Sequence, residues 1–323
     1  MTSWTPQSQK WPGKRAVLFV HGIGNSKPGD YDPLIANFKN VIGEDIAKDL
    51  AIYFLYYDQL NDWAQAKVNF AGLLSKILKW LKDKYVQSID VNAAEGIADF
   101  AGDVIMPVLD KAARAMIRTR YLAQLLQINM DAINSGVALE DREISIIAHS
   151  MGCFHTYETL WEAAVNPDQH LAPFRDGMQF KNVILMAPPV QLIRSVAKDL
   201  GGIVPKDNLA TVQGNELTIP SQENNIGKPV YCTPNWVSIT GNCDPVGGYL
   251  LKHRLDWAYM NLSGQKSYID DQSLLNIPDA DALAKRLLND QVSANAPKIS
   301  LNNPHSWDAY IDNHKEGLQQ WLS

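Results

Sequence analysis

Short, uninterrupted runs of hydrophobic residues recur along the chain, and the stretches between them show hydrophobic residues returning at helical spacing. The runs cover residues 16–20, 51–57, 144–148, 183–187 and 236–240. Apolar runs of this length predict strands that are buried on both faces, and the spaced pattern predicts helices. Strands that alternate with helices predict an α/β fold, in which helices cover both faces of a mostly parallel central sheet.

The spacing of the predicted strands is uneven between the second and the third. About 85 residues lie there, which is far more than one crossover helix requires. Hydrophobic residues at helical spacing, with lysines between them, cover residues 70–81, and a second helical pattern covers residues 97–130. We therefore predict one domain, residues 1–323, with a helical cap insertion at residues 60–135 and a second insertion at residues 247–304.

The composition is that of a globular protein, since 46% of the residues are hydrophobic and can form a buried core. The formal charge of −6 arises from 35 acidic and 29 basic residues that are dispersed along the chain. Because there is no long basic block, nucleic acid is not expected as a partner. No apolar run approaches membrane-spanning length. The helix predicted at residues 70–81 is compatible with peripheral lipid contact, but such a stripe more often packs on a core.

The N-terminal residues and the cysteines indicate in which cellular compartment the protein is expected. Residues 1–15 are polar and do not predict a secretory signal. Cys153, Cys232 and Cys243 are odd in number and lack metal-ligand spacing, which favours free thiols in a reducing compartment. We therefore expect a cytoplasmic protein without a metal site.

The strongest chemical signal is the sequence EISIIAHSMGC at residues 143–153, where a predicted strand runs into Ser150 and a helical pattern follows at once. In a nucleophile elbow the serine occupies a sharp strand-to-helix turn, and the residues two positions away must be small so that strand and helix can pass closely. Ala148 and Gly152 meet this requirement. The alternative is a serine that merely caps the following helix.

A second signal lies at the end of the first predicted strand, where His-Gly-Ile-Gly occupies residues 21–24. A glycine-flanked turn there can direct a backbone N–H into the space above Ser150, as an oxyanion hole requires. We assign Ile23 and Met151 as the two N–H donors. The alternative is an ordinary glycine turn after a strand, because a His-Gly pair alone is weak evidence.

The acid of a catalytic triad is predicted from chain order, which in this kind of fold is serine, acid, histidine. Asp244 follows the last predicted strand by four residues, and Pro245 stiffens the loop that would hold its carboxylate. The alternative is an aspartate in a solvated turn.

Seven histidines compete for the role of the base. Five belong to the two turns, precede the acid or follow it too closely: His21, His149, His155, His170 and His253. The other two are His305, in a polar loop before a C-terminal helix pattern, and His314, which the pattern places on the solvent-facing side of that helix. We assign the base to His305, because catalytic residues are often carried on loops.

Together these motifs resemble the α/β-hydrolase family, and more narrowly its lipase and esterase branch with a short His-Gly-Ile-Gly oxyanion loop. The resemblance covers most of the chain and implies an eight-stranded, mostly parallel sheet, a triad at its carboxyl edge, a cap or lid, and no cofactor. Carried over by position, it assigns Ser150 as nucleophile, Asp244 as acid, His305 as base, and Ile23 and Met151 as oxyanion-hole donors. The segment DFAGDVIMPVLDKAARAMIRTRYL also resembles the helical segment of bacterial serine esterases related to lipid-acting hydrolases.

The expected activity is hydrolysis of a small-molecule or lipid carboxylic ester through an acyl-enzyme on Ser150. A carboxylesterase is the first prediction, and a lipase or phospholipase that acts on aggregated lipid is the second. A third hypothesis is a non-catalytic binding protein, because α/β-hydrolase folds also serve that role. Transfer of the acyl group to an alcohol differs from hydrolysis only in the acceptor, and the sequence does not decide between them.

Overall fold

A computed structural model describes residues 4–22, 29–57, 111–165, 178, 180–189, 235–239 and 306–323. Within these residues the strands are β1 (Arg15–Val20), β2 (Leu50–Leu55), β3 (Glu143–His149), β4 (Phe180–Met186) and β5 (Asn235–Ile239). The α-helices are α1 (Asp32–Ile42), α2 (Glu44–Ala47), α3 (Lys111–Asn134), α4 (Met151–Val165), α5 (Trp307–Asn313) and α6 (Lys315–Leu322), and a short 3-10 helix covers Leu139–Asp141. All five predicted strands are confirmed, with ends that differ by at most three residues.

The five strands form one sheet in the order β2-β1-β3-β4-β5, and every neighbouring pair is parallel. The predicted parallel α/β class is therefore confirmed. The strand ends are in register, since Val20 pairs with both Leu55 and Ala148, and Met186 pairs with both His149 and Ile239. This register brings all the carboxyl ends to one edge of the sheet.

The chain order reverses direction between β1 and β3, because β2 lies on one side of β1 and the later strands lie on the other. In open α/β sheets the loops on either side of such a reversal diverge and leave a crevice at the carboxyl edge, which is where ligands bind. We therefore expect a functional site at the residues that follow β1 and β3.

Two hydrophobic cores cover the two faces of the sheet, as the alternation of side chains along a strand requires. One contains Leu18, Val20 and Tyr53 with helices α3 and α4. The other contains Val17 and Phe19 with helices α1, α5 and α6. The prediction of helices on both faces is confirmed.

Helix α3 occupies the end of the stretch in which a cap is predicted, and it packs against the sheet. Its buried residues recur on one face at helical spacing: Ile117, Tyr121, Leu125, Ile128 and Ala132. Near its C-terminus, Asp131 accepts a hydrogen bond of 2.9 Å from the Tyr53 hydroxyl of β2. Residues 111–134 thus form part of the layer beside the sheet. The helical cap predicted at residues 60–135 is described only from residue 111 onward, and the insertion predicted at residues 247–304 lies outside the described residues, so both stay predictions.

Candidate active site at the end of strand β3

Ser150 lies at the turn between β3 and α4 and has a backbone φ of 53°. A non-glycine residue in this left-handed region is strained by about 1–2 kcal/mol, and such strain clusters at active sites and switch regions. The turn is fixed on both sides, because the Ser150 N–H donates to the Met186 carbonyl at 2.9 Å and the Cys153 N–H donates to the Ser150 carbonyl at 2.9 Å. The side chain is buried. The serine is therefore held by β4 and by the first turn of α4.

Gly152 lies where α4 passes closest to β1. A Cβ atom at Gly152 would stand 2.1 Å from the Val20 carbonyl oxygen and 2.5 Å from that of His21. No side chain larger than hydrogen fits there without moving the backbone of β1. On the strand side, Ala148 is fully buried and pairs with Val20. The expectation that both positions flanking the serine must be small agrees with this close approach.

The backbone of Gly22, just after β1, lies against Ser150. A Cβ atom at Gly22 would lie 2.8 Å from the Cβ of Ser150 and 3.3 Å from its Oγ. The glycine therefore lets the backbone of the first loop approach the serine hydroxyl closely. Because Gly22 and Ser150 follow adjacent strands on either side of the chain reversal, this contact lies at the crevice of the sheet.

Of the two assigned oxyanion-hole donors, only Met151 lies in the described part of the chain. Ile23 lies outside the described residues. Met151 is the first residue of α4, and N–H groups in the first turn of a helix have no partner within the helix and are directed at its N-terminal end. The Met151 N–H therefore lies at the N-terminal end of α4, next to Ser150, and its role as an oxyanion-hole donor stays a prediction.

Asp244 and His305 also lie outside the described residues, but the elements that precede and follow them are described. Strand β5 ends at Ile239, beside β4. Helix α5 begins at Trp307, whose ring lies 5.0 Å from the ring of His149. The start of α5 is therefore packed against the residue that precedes Ser150.

The solvent-facing position expected for His314 is wrong. His314 lies between α5 and α6 and is buried, and its ring is 6.4 Å from that of Tyr310. The reason is helical spacing, since His314 is four residues after Tyr310 and four before Leu318, which are both buried. Its charged neighbours in the sequence, Lys315 and Glu316, project in other directions.

Three buried rings, those of His21, Tyr57 and His155, pack against one another next to the backbone of His21 and Gly22. The Tyr57 ring lies parallel to the His21 ring, with 4.5 Å between centroids and 7° between planes, and the His155 ring meets Tyr57 edge-on at 4.7 Å. Tyr57 has contacts that the sequence did not reveal, because its hydroxyl donates to the His21 and Gly22 carbonyl oxygens. The only signal in the sequence was a tyrosine at the end of the second hydrophobic run.

Burial keeps His21 and His155 neutral. Desolvation lowers the pKa of His21 to about 4, although hydrogen bonds to the Gly22 and Leu55 carbonyls favour the protonated ring. Desolvation also lowers the pKa of His155 to about 3, helped by the positive charge of Arg114. Arg114 itself forms a buried salt bridge of 3.0 Å with Glu158.

We expect the free energy of unfolding to fall by up to about 1.4 kcal/mol per pH unit for each of these two histidines as the pH drops from 6.5 towards 4.5. In the unfolded chain both rings have the ordinary pKa of 6.5 and bind protons in this window, whereas in the folded chain they stay neutral. Acid therefore favours the unfolded state. Urea unfolding at several pH values measures the slope.

The control for this pH dependence is His155→Gln, which removes one of the two titrating rings. The variant is less stable at every pH, but its stability should fall less steeply with acid, by up to about 1.4 kcal/mol per unit relative to the wild type. An unchanged slope would show that His155 is not a buried neutral ring.

Among the described residues, no three His, Cys, Asp or Glu side chains come together in a way that could hold a metal ion. In the same part of the chain, none of the helices combines the length and apolarity that crossing a membrane requires.

The sequence matches no model of a known protein family, and no curated protein matches it either.

Proposed function

We propose that the protein is a serine hydrolase of the α/β-hydrolase type that cleaves carboxylic esters. In this proposal Ser150 is the nucleophile, His305 is the general base and Asp244 orients the histidine. The backbone N–H groups of Ile23 and Met151 form the oxyanion hole.

The observation that carries the proposal is the positive φ of Ser150 at the turn from β3 to α4. A residue that only caps a helix has backbone angles in the β region, so a φ of 53° distinguishes Ser150 from an ordinary cap. A strained serine between a buried strand and a helix is the arrangement that exposes a nucleophilic hydroxyl at the sheet edge in α/β-hydrolases.

The position of the elbow supports the same proposal. Ser150 follows the strand next to the chain reversal, and the Gly22 backbone approaches its hydroxyl from the adjacent strand. An oxyanion hole needs this arrangement, because its donors must lie about 3 Å from the oxygen of the carbonyl that the serine attacks.

The order of elements supports the two more distant members of the triad. The strand that precedes Asp244 lies two places from β3 in the sheet, with its carboxyl end at the same edge. The helix that begins two residues after His305 packs on His149 through Trp307. Both loops therefore start or end near the elbow, as a triad carried on separate loops requires.

The reaction would proceed in two half-reactions. His305 takes the proton of the Ser150 hydroxyl as the oxygen attacks the ester carbonyl, and then gives it to the departing alkoxide, which leaves as the alcohol. Water attacks the resulting acyl-enzyme with His305 again acting as the base, and the products are a carboxylic acid and free Ser150. Asp244 stabilises the imidazolium in both steps.

A fluorophosphonate probe tests the proposal directly, because it phosphonylates an activated serine with loss of fluoride. We expect the folded protein to be labelled at one site, which peptide mapping will locate at Ser150, and the urea-unfolded protein to remain unlabelled. Folded Ser150→Ala should take up no label. Absence of label in the folded wild type, or a label at a different serine, would refute the proposed nucleophile.

A further inference from the structure

Tyr57 lies two residues beyond the end of β2 and is completely buried. Its hydroxyl donates to the carbonyl oxygen of His21 at 2.5 Å and to that of Gly22 at 3.0 Å. The Tyr57 hydroxyl thus donates to two consecutive carbonyls, and the second belongs to Gly22, whose backbone lies against Ser150. The stack of the Tyr57 ring on the His21 ring fixes the direction from which this hydroxyl reaches the loop.

The Gly22 carbonyl has a second donor, since the Nδ1 atom of His21 lies 2.5 Å from the same oxygen. With Nδ1 protonated in the neutral ring, two donors hold this oxygen. A carbonyl held from two directions cannot rotate without breaking buried hydrogen bonds, and unsatisfied buried carbonyls are strongly disfavoured.

The direction of this carbonyl bears on the next residue, because the Gly22 carbonyl and the Ile23 N–H belong to the same peptide group. In a planar trans peptide the C=O and N–H bonds point in opposite directions. Hydrogen bonds that hold the Gly22 oxygen therefore also restrict the orientation of the whole peptide group that follows Gly22.

We propose that Tyr57 is a positioning residue, whose hydroxyl orients the Gly22–Ile23 peptide so that its N–H serves as an oxyanion-hole donor. This inference rests on the proposed serine hydrolase function. Such a positioning residue is needed because an oxyanion hole is effective only when its N–H donors are fixed before the negative charge develops. Tyr57 touches neither the substrate nor Ser150 in this role, and acts only through the peptide.

The test is Tyr57→Phe, which keeps the ring stack and removes only the hydroxyl. We expect kcat for a nitrophenyl ester to fall about 10- to 100-fold, less than or similar to the loss of a whole oxyanion-hole donor, with KM changed less than about twofold. An arylboronic acid, which forms a tetrahedral adduct with an active serine, should bind more weakly by a similar factor. A purely structural role would not weaken this adduct selectively.

The matched control is Tyr121→Phe. Tyr121 is also fully buried, and its hydroxyl lies 3.0 Å from the Thr156 Oγ1, away from the loop. This variant loses a buried hydroxyl too, but it should keep the wild-type kcat and boronate affinity. Equal losses of activity in both variants would mean that Tyr57 acts only through stability, and would overturn the inference.

A measurement on the wild type covers the case in which Tyr57→Phe does not fold. In protein labelled with 15N at isoleucine and methionine, boronate binding should move the amide proton resonances of both Ile23 and Met151 downfield. A response at Met151 without one at Ile23 would overturn the inference and leave the serine hydrolase intact. A wild type that neither hydrolyses esters nor binds the boronate would refute the proposed function itself.

Discussion

Replacing Ser150 by alanine is expected to lower kcat on nitrophenyl esters by about 10⁴- to 10⁶-fold, because no other group supplies the attacking oxygen. The free energy of unfolding should stay within about 1 kcal/mol of the wild type. Alanine keeps a Cβ at the same positive φ and loses only the hydroxyl. Initial rates on esters from acetyl to palmitoyl, with urea unfolding of the same samples, measure both quantities.

Ser150→Gly is the control that separates the nucleophile from the backbone strain. It should be as inactive as Ser150→Ala but more stable than it by about 1 kcal/mol, because glycine adopts a positive φ without strain. Residual turnover near the wild-type rate in either variant would refute the nucleophile. In the wild type, fast turnover of short chains would favour a carboxylesterase, and a long-chain optimum would favour a lipase.

The hydrophobic pattern of the sequence predicted the sheet well. Runs such as residues 144–148 and 183–187 have no polar alternation, so they had to be buried on both faces, and they became β3 and β4. Their ends were less well predicted. The second run continues to Tyr57, but β2 ends at Leu55, where its partner β1 also ends. A strand ends where its neighbour does, and a hydrophobic pattern carries no information about the neighbour.

The elbow could be predicted because its requirements are local. A buried strand, a serine, small residues two positions away and a helix are all adjacent in the sequence, and the positive φ of Ser150 agrees with them. The contact between Gly22 and Ser150 joins two strands that are more than a hundred residues apart in the sequence. It could be proposed only from the glycine-flanked turn at the end of the first predicted strand.

Side chains that act across the fold were not predicted. Tyr57 was interpreted only as a strand residue, because its hydroxyl contacts depend on the pairing of β2 with β1. His314 was placed at the surface by its charged neighbours, yet helical spacing puts it with Tyr310 and Leu318. Helical periodicity also identified α3 without showing that this helix packs on the sheet. In each case the missing information was the packing partner.

Gly152→Ala is expected to destabilise the protein by at least about 3 kcal/mol, at the upper end of what overpacking costs. In a helix, alanine is normally more stable than glycine by up to about 1 kcal/mol, so the expected loss has the opposite sign from helix propensity. The cause is the added Cβ, which would stand 2.1 Å from the Val20 carbonyl oxygen. Because that oxygen belongs to the backbone of a central strand, it cannot move away as a side chain can.

Gly317→Ala is the matched control, since Gly317 also lies near the start of a helix. Its added Cβ would stand 2.9 Å from the Cη2 of Trp321, the far end of a side chain that can shift. Urea unfolding should show a small change for Gly317→Ala and a large loss for Gly152→Ala. The Gly152 variant should also lose esterase activity, because any displacement of Val20 and His21 moves the backbone of Gly22, which lies against Ser150. Wild-type stability in Gly152→Ala would mean that α4 and β1 do not approach as closely as the elbow requires.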